Sequence, residues 1–231
     1  MRQRRLFKFS NAVLPLIGIN IFMFIIQSIL GDGFTASFML VSSDILARPW
    51  IILTHMFLHA NLTHLFFNMY ALLMFGSLIE SKIGTKRFLT VYFLAGILAA
   101  IIPFYDAALG ASGAIMGIIG IVIMLLPDLP VLLFFFIPMS MRTAGIIFAL
   151  FDLFGAFLPL STGIAHYAHL VGLMVGIIYG YYLLKTKKQF RKSFTSPHQK
   201  KKYSNVIDVD YNEVIEMDEN DINEYLKNGR L

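Results

Sequence analysis

The apolar positions of the chain gather into six long runs, roughly 11–30, 61–80, 87–105, 112–126, 142–158 and 163–184. Most approach the ~20 residues that cross a ~30 Å hydrocarbon layer as a helix. The run 112–126 is short for that purpose. A further apolar piece, 131–137, lies between Pro127, Pro130 and Pro138; it is too short to cross and is expected at the interface. The pattern predicts an all-α polytopic membrane bundle of six spans. It divides the chain into a basic N-terminus (1–10), a membrane domain (11–184) and a tail (185–231). Within the domain, 31–54 is an outer loop whose apolar stretch 38–41 and Trp50 suggest contact with the bilayer surface. The tail turns acidic from 203 onward and is expected to end in a short helix near 219–228.

Composition supports a lipid environment. Of 231 residues, 57% are hydrophobic and 14% charged, against about 45–50% and 25% in a soluble domain. Twenty-two Phe and twelve Met exceed what one globular core of this length needs, so the surplus must face lipid. The absence of cysteine excludes disulfides and thiolate metal sites. A net charge of +5 would suit a nucleic-acid binder, but the basic residues sit at the ends of apolar runs. With the N-terminus inside, the inner segments hold sixteen Lys and Arg up to Lys202 and the outer loops Arg48 alone. That asymmetry predicts a multi-pass protein of the plasma membrane with both termini cytosolic. No small-x-small site follows the first run, so a cleavable signal is not expected.

Polar side chains inside a bilayer are costly and face the bundle interior, which makes each a functional candidate. They cluster in three places: His55, His59, Asn61, His64 and Asn68 entering the second span; Gly110-Ala111-Ser112-Gly113 opening the fourth; and His166 and His169 in the sixth. At 1.5 Å per residue, Asn68 lies about 10 Å, and His169 about 9 Å, below the outer boundary. The short fourth run starts about 8 Å down, at Ser112. All three fall at one level. Gly172, Gly176 and Gly180 form a small-residue stripe on the sixth span, matched by Gly113 and Gly117 on the fourth. At about 100° per residue, the stripe points about 20° from His169 and about 80° from His166. His169 therefore faces the tight seam.

A serine hydroxyl attacks well only when an adjacent base accepts its proton, and a glycine seam brings two helices within that reach. Backbone N–H groups at the start of the fourth helix, with the Asn68 amide, are placed to stabilise an oxyanion. No carboxylate is expected near the outer end of the sixth span: Asp106 sits in a loop and Asp152 several turns into the fifth. A Ser112–His169 dyad is therefore expected rather than a triad. Duller readings stand beside it. Ser112 and the glycines suit simple helix packing, the histidines suit structural hydrogen bonding or a metal site, and Asp152 or Glu80 suits a transporter or channel.

The second-span pattern His55-x3-His59-x4-His64-x3-Asn68, then Gly110-x-Ser112-Gly113, then Ala168-His169-x2-Gly172-x3-Gly176, together resemble the rhomboid intramembrane protease family. Glu80, Gly84 and Phe88 are similar to the family's E-x3-G-x3-F stretch. The likeness covers residues 10 to 184. It implies a six-helix core, cleavage of transmembrane segments near the outer face, Ser112 as nucleophile and His169 as base. It further implies Asn68 and His64 at the oxyanion site and His59 as a structural hydrogen bonder. Glu80, Gly110, Gly113, Gly172 and Gly176 would be structural supports, and the fifth span a lateral gate. Trp50 matches one half of a loop Trp-Arg pair, with Ile51 in place of the Arg; His166 matches no catalytic position. Single-span membrane proteins are the implied substrates and the lipid bilayer the setting, with no cofactor, metal, nucleotide or nucleic acid. A non-proteolytic protein that binds client helices would share the fold.

Overall fold

The computed structural model describes residues 12–101, 107–133, 136–157 and 165–194, with side chains to 186. The expected helix near 219–228 lies outside them. The protein is an all-α membrane bundle with two small β-ribbons. Six helical runs of fourteen residues or more occur among the described residues: α1 Val13–Leu30, α4 Leu62–Ile83, α5 Thr85–Ile101, α6 Ser112–Leu125, α7 Met141–Phe157 and α8 His166–Phe194. Each coincides with an expected run, and α1, α4 and α8 are long and apolar enough to cross a membrane. Short helices α2 Asp32–Phe38 and α3 Ile51–Thr54 form the loop after α1.

Helix ends follow local chemistry. The backbone N–H groups of Ala12 and Val13, at the start of α1, donate to the buried Glu80 carboxylate at 2.9 and 3.3 Å, and the Thr85 hydroxyl donates to it at 2.7 Å. One acidic side chain thus caps α1 from the end of α4, where a helix N-terminus favours negative charge. The Asn61 side chain caps α4 by accepting from the His64 N–H at 2.8 Å. α4 stops at Gly84, whose φ of +81° suits glycine. Its middle, Leu72–Gly76, widens into a π turn.

The described ends of the apolar piece 131–137 lie in two paired strands. Strand β3 Pro130–Leu133 pairs antiparallel with β4 Ile137–Ser140, Val131 opposite Met139. Pro130 and Pro138 lack the N–H that a helix needs, so the segment pairs with itself. The second ribbon, β1 Leu40–Val41 with β2 Ala107–Ala108, ties the loop after α1 to the approach to α6.

That loop also explains Ile51. Its side chain is fully buried with Leu40 and Ala100, a place that would strand a guanidinium. Arg48 supplies the polar contacts instead, donating to the Ala36 carbonyl at 2.7 Å and to Asp44. Trp50 Nε1 donates to the Ser37 carbonyl at 3.1 Å.

α6 is the central element, with every residue from Gly113 to Val122 buried. It packs most extensively against α8 and then α5. Large apolar side chains of the outer helices, such as Phe22, Phe154 and Ile178, point outward, which is the surface that lipid covers.

Candidate active site

The site is built on the α6–α8 seam. A Cβ on Gly172 would land on the Gly113 carbonyl oxygen, and one on Gly176 on the Gly117 carbonyl oxygen. A Cβ on Gly120 would lie 2.6 Å from the Leu173 carbonyl oxygen. These glycines let two backbones touch, as small-residue stripes do in lipid. The consequence appears one turn away: Ser112 Oγ and His169 Nε2 lie 2.7 Å apart. The two side chains that depth and facing single out are in hydrogen-bond contact.

The expectation that no carboxylate approaches the sixth span is overturned. Asp152 Oδ1 accepts from His169 Nδ1 at 3.0 Å and from His166 Nδ1 at 2.8 Å. Asp152 is 3% exposed and His166 5%. The physical reason is antiparallel geometry. Asp152 is several turns from the start of α7, but α7 runs towards the level at which α8 begins. Measured from the boundary near 158, Asp152 lies about 9 Å down, the depth estimated for His169. The same arithmetic applied to both ends of the run would have found it. His166 also gains a place: it points from α8 to α7, its ring fitting over Gly155, where a Cβ would collide with it, and edge-on to Phe151.

Ser112 opens α6, whose first internal bond is from the Ile115 N–H to the Ala111 carbonyl at 3.0 Å. The N–H groups of Ser112, Gly113 and Ala114 precede that ladder and point out of the helix end. Gly110, at φ +122°, turns the chain into α6, and its N–H donates to the His55 carbonyl at 2.9 Å. A Cβ there would lie 2.7 Å from His64 Cε1. Asn68 and His64 both line a cavity of about 1020 Å³ that also takes in Ser112, His169 and Asp152. One Asn68 N–H donates to the His64 carbonyl at 3.0 Å.

His59 differs from expectation. Its ring is fully buried and, among the described residues, neither ring nitrogen has a hydrogen-bond partner. The hydrogen bonding runs through its backbone, to and from the Gln27 amide at 2.9 and 3.1 Å. The ring itself packs edge-on against His64. A main-chain clamp of this kind leaves no trace in residue spacing.

Comparison with known proteins agrees with the architecture. A family profile described as Rhomboid domain matches residues 46–186. Rhomboid protein 1, mitochondrial, of Saccharomyces cerevisiae is 29% identical over 196 residues, covering 79% of this chain and 56% of that protein. The human presenilin-associated rhomboid-like protein, mitochondrial, is 35% identical over 154 residues, covering 60% and 38%. Rhomboid protease GluP of Bacillus subtilis is 44% identical over 75 residues, covering 31% and 15%. The chain thus matches little more than half, or less, of each relative's length.

Proposed function

The chain belongs to the rhomboid family, and on that premise we propose that it is an intramembrane serine endopeptidase cutting transmembrane segments of other membrane proteins near the outer face. The observation that carries the reading is the 2.7 Å contact between Ser112 Oγ and His169 Nε2. As Oγ attacks the scissile carbonyl carbon, its proton passes to Nε2. The carbonyl π pair moves to oxygen, and the resulting anion is held by the N–H groups at the start of α6 with Asn68 and His64. Collapse breaks the C–N bond, and Nε2 returns its proton to the departing amine. Water then repeats the sequence on the acyl ester and frees Ser112. Every step is a proton or acyl transfer that calls for no metal or nucleotide.

The cavity beside Ser112 is walled by Phe67 and Ala71 of α4 and by Ile147, Phe148 and Phe151 of α7. A cavity lined by both helices supports the reading of α7 as the lateral gate. A stable substrate helix cannot present its backbone carbonyl to Oγ, since that oxygen is already bonded; the substrate must unwind locally. Single-span proteins with helix-weakening residues suit this demand. The gathering of Lys and Arg supports cytosolic termini for a protein that we place in the cell membrane, whereas the names of two of the relatives given above place those proteins in mitochondria.

The test is cleavage of a single-span reporter in proteoliposomes. Wild-type protein cuts it, while Ser112→Ala and His169→Ala reduce cutting to background without unfolding in detergent. Full activity in Ser112→Ala rejects the assignment, and binding of the reporter without cleavage by the wild type would favour a client-binding protein.

A further inference from the structure

We infer that Asp152 is the third member of the constellation: a positioning residue that fixes the tautomer and orientation of His169, and is itself held by His166. The inference rests on the protease reading and adds to it a residue from α7. Both ring nitrogens of His169 are committed, Nε2 to Ser112 and Nδ1 to Asp152. An ionised carboxylate only accepts hydrogen bonds. Nδ1 must therefore carry the proton, which leaves the Nε2 lone pair facing the Ser112 hydroxyl. That is the tautomer a general base requires. When Nε2 takes the serine proton, the imidazolium sits against a carboxylate 3.0 Å away, and the Nδ1 proton stays where it is.

His166 explains how a carboxylate is kept in this place. An uncompensated buried charge costs several kcal/mol, and Asp152 has two imidazole donors on one oxygen. His166 is not a second base. Its Nδ1 is given to Asp152, and its ring lies over Gly155 rather than towards Ser112. The bare glycine at 155 makes the room. Since Asp152 rides on α7, the base is tied to the helix beside which substrate enters.

The experiment compares wild type, Asp152→Asn and His166→Asn in the reporter assay, together with ¹⁵N resonances of the His169 ring in labelled protein. In wild type the ring is protonated at Nδ1. Asp152→Asn lowers kcat on the order of 10⁴-fold, the scale of the same change in a soluble serine triad, with KM nearly unchanged. It also shifts the His169 resonances towards the Nε2-protonated form, which a purely structural role would not do. His166→Asn, which retains the carboxylate, gives a smaller fall in kcat and keeps the tautomer. Full kcat in a folded Asp152→Asn protein overturns the inference. So does Nε2 protonation in wild type, a result that stands even if the variant fails to fold. If wild type cleaves nothing and Ser112 takes no fluorophosphonate, the protease reading itself has failed; if wild type cleaves and folded Asp152→Asn cleaves equally well, this inference alone has.

Discussion

Gly172→Ala puts one methyl group on the α6–α8 seam, three residues from His169. The new Cβ would fall on the Gly113 carbonyl oxygen, beside Ser112. That oxygen is backbone inside a buried helix, so no side chain can swing away; the helices must part. Restoring an ordinary contact of about 3.5 Å requires a separation on the order of 1 Å. Added to the 2.7 Å between Ser112 Oγ and His169 Nε2, this takes the pair to roughly 3.7 Å, beyond hydrogen-bond range. A displacement of that size costs on the order of 10²-fold in rate. Overpacking also destabilises by about 1–3 kcal/mol, so thermal stability in detergent is measured beside reporter cleavage. Gly18→Ala is the control, because nothing lies within 4 Å of its Cβ position. It should leave cleavage unchanged and stabilise α1 by up to about 1 kcal/mol. Unchanged kcat in folded Gly172→Ala protein would refute the argument that the glycine seam sets the catalytic distance.

Three further outcomes are expected. Glu80→Gln weakens the cap shared by α1 and Thr85 and lowers stability by about 1–2 kcal/mol; a detergent melt shows it, while kcat/KM of the folded fraction holds. Gly110→Ala forces a side chain onto φ +122° and against the His64 ring, a strain of about 1–3 kcal/mol, and steady-state kinetics should show kcat falling more than KM changes. Hydrogen bonds from Arg48 and Ser43 hold the exposed Asp44 carboxyl below the usual carboxylate range. Its contribution to the loop 31–54 is therefore complete above the ordinary carboxylate pKa and lost as pH falls through the lowered one. Hydrogen exchange of the loop should report that loss, and in Arg48→Gln the loss should begin at higher pH.

The elements were legible because lipid imposes a strong signal: long apolar runs became helices within a few residues of their expected bounds, except that α8 continues past 184 to Phe194. Ser112 and His169 were legible for a related reason. A glycine every fourth residue marks one face of α8, and helical rise assigns depth, so level and direction were both available. Asp152 was open to the same arithmetic but was measured from the wrong end of its helix. His166, Gly155 and Arg48 were not accessible in that way. Their partners lie across tertiary contacts whose geometry depends on how α7 sits against α8, or on how the loop after α1 folds back. His59 shows the limit of residue type as a guide, since its backbone makes the hydrogen bonds and its ring serves as packing. The pairing of β3 with β4 was not legible because apolarity and length alone do not separate a short helix from a strand pair.

The central claim is that the Ser112 alcohol is activated by the His169 imidazole. A fluorophosphonate offered to the purified protein, with the adduct located by peptide mass spectrometry, asks this directly. The account predicts one adduct, on Ser112, whose formation collapses in His169→Asn. No adduct on Ser112, or one that forms equally fast without the imidazole, would contradict it.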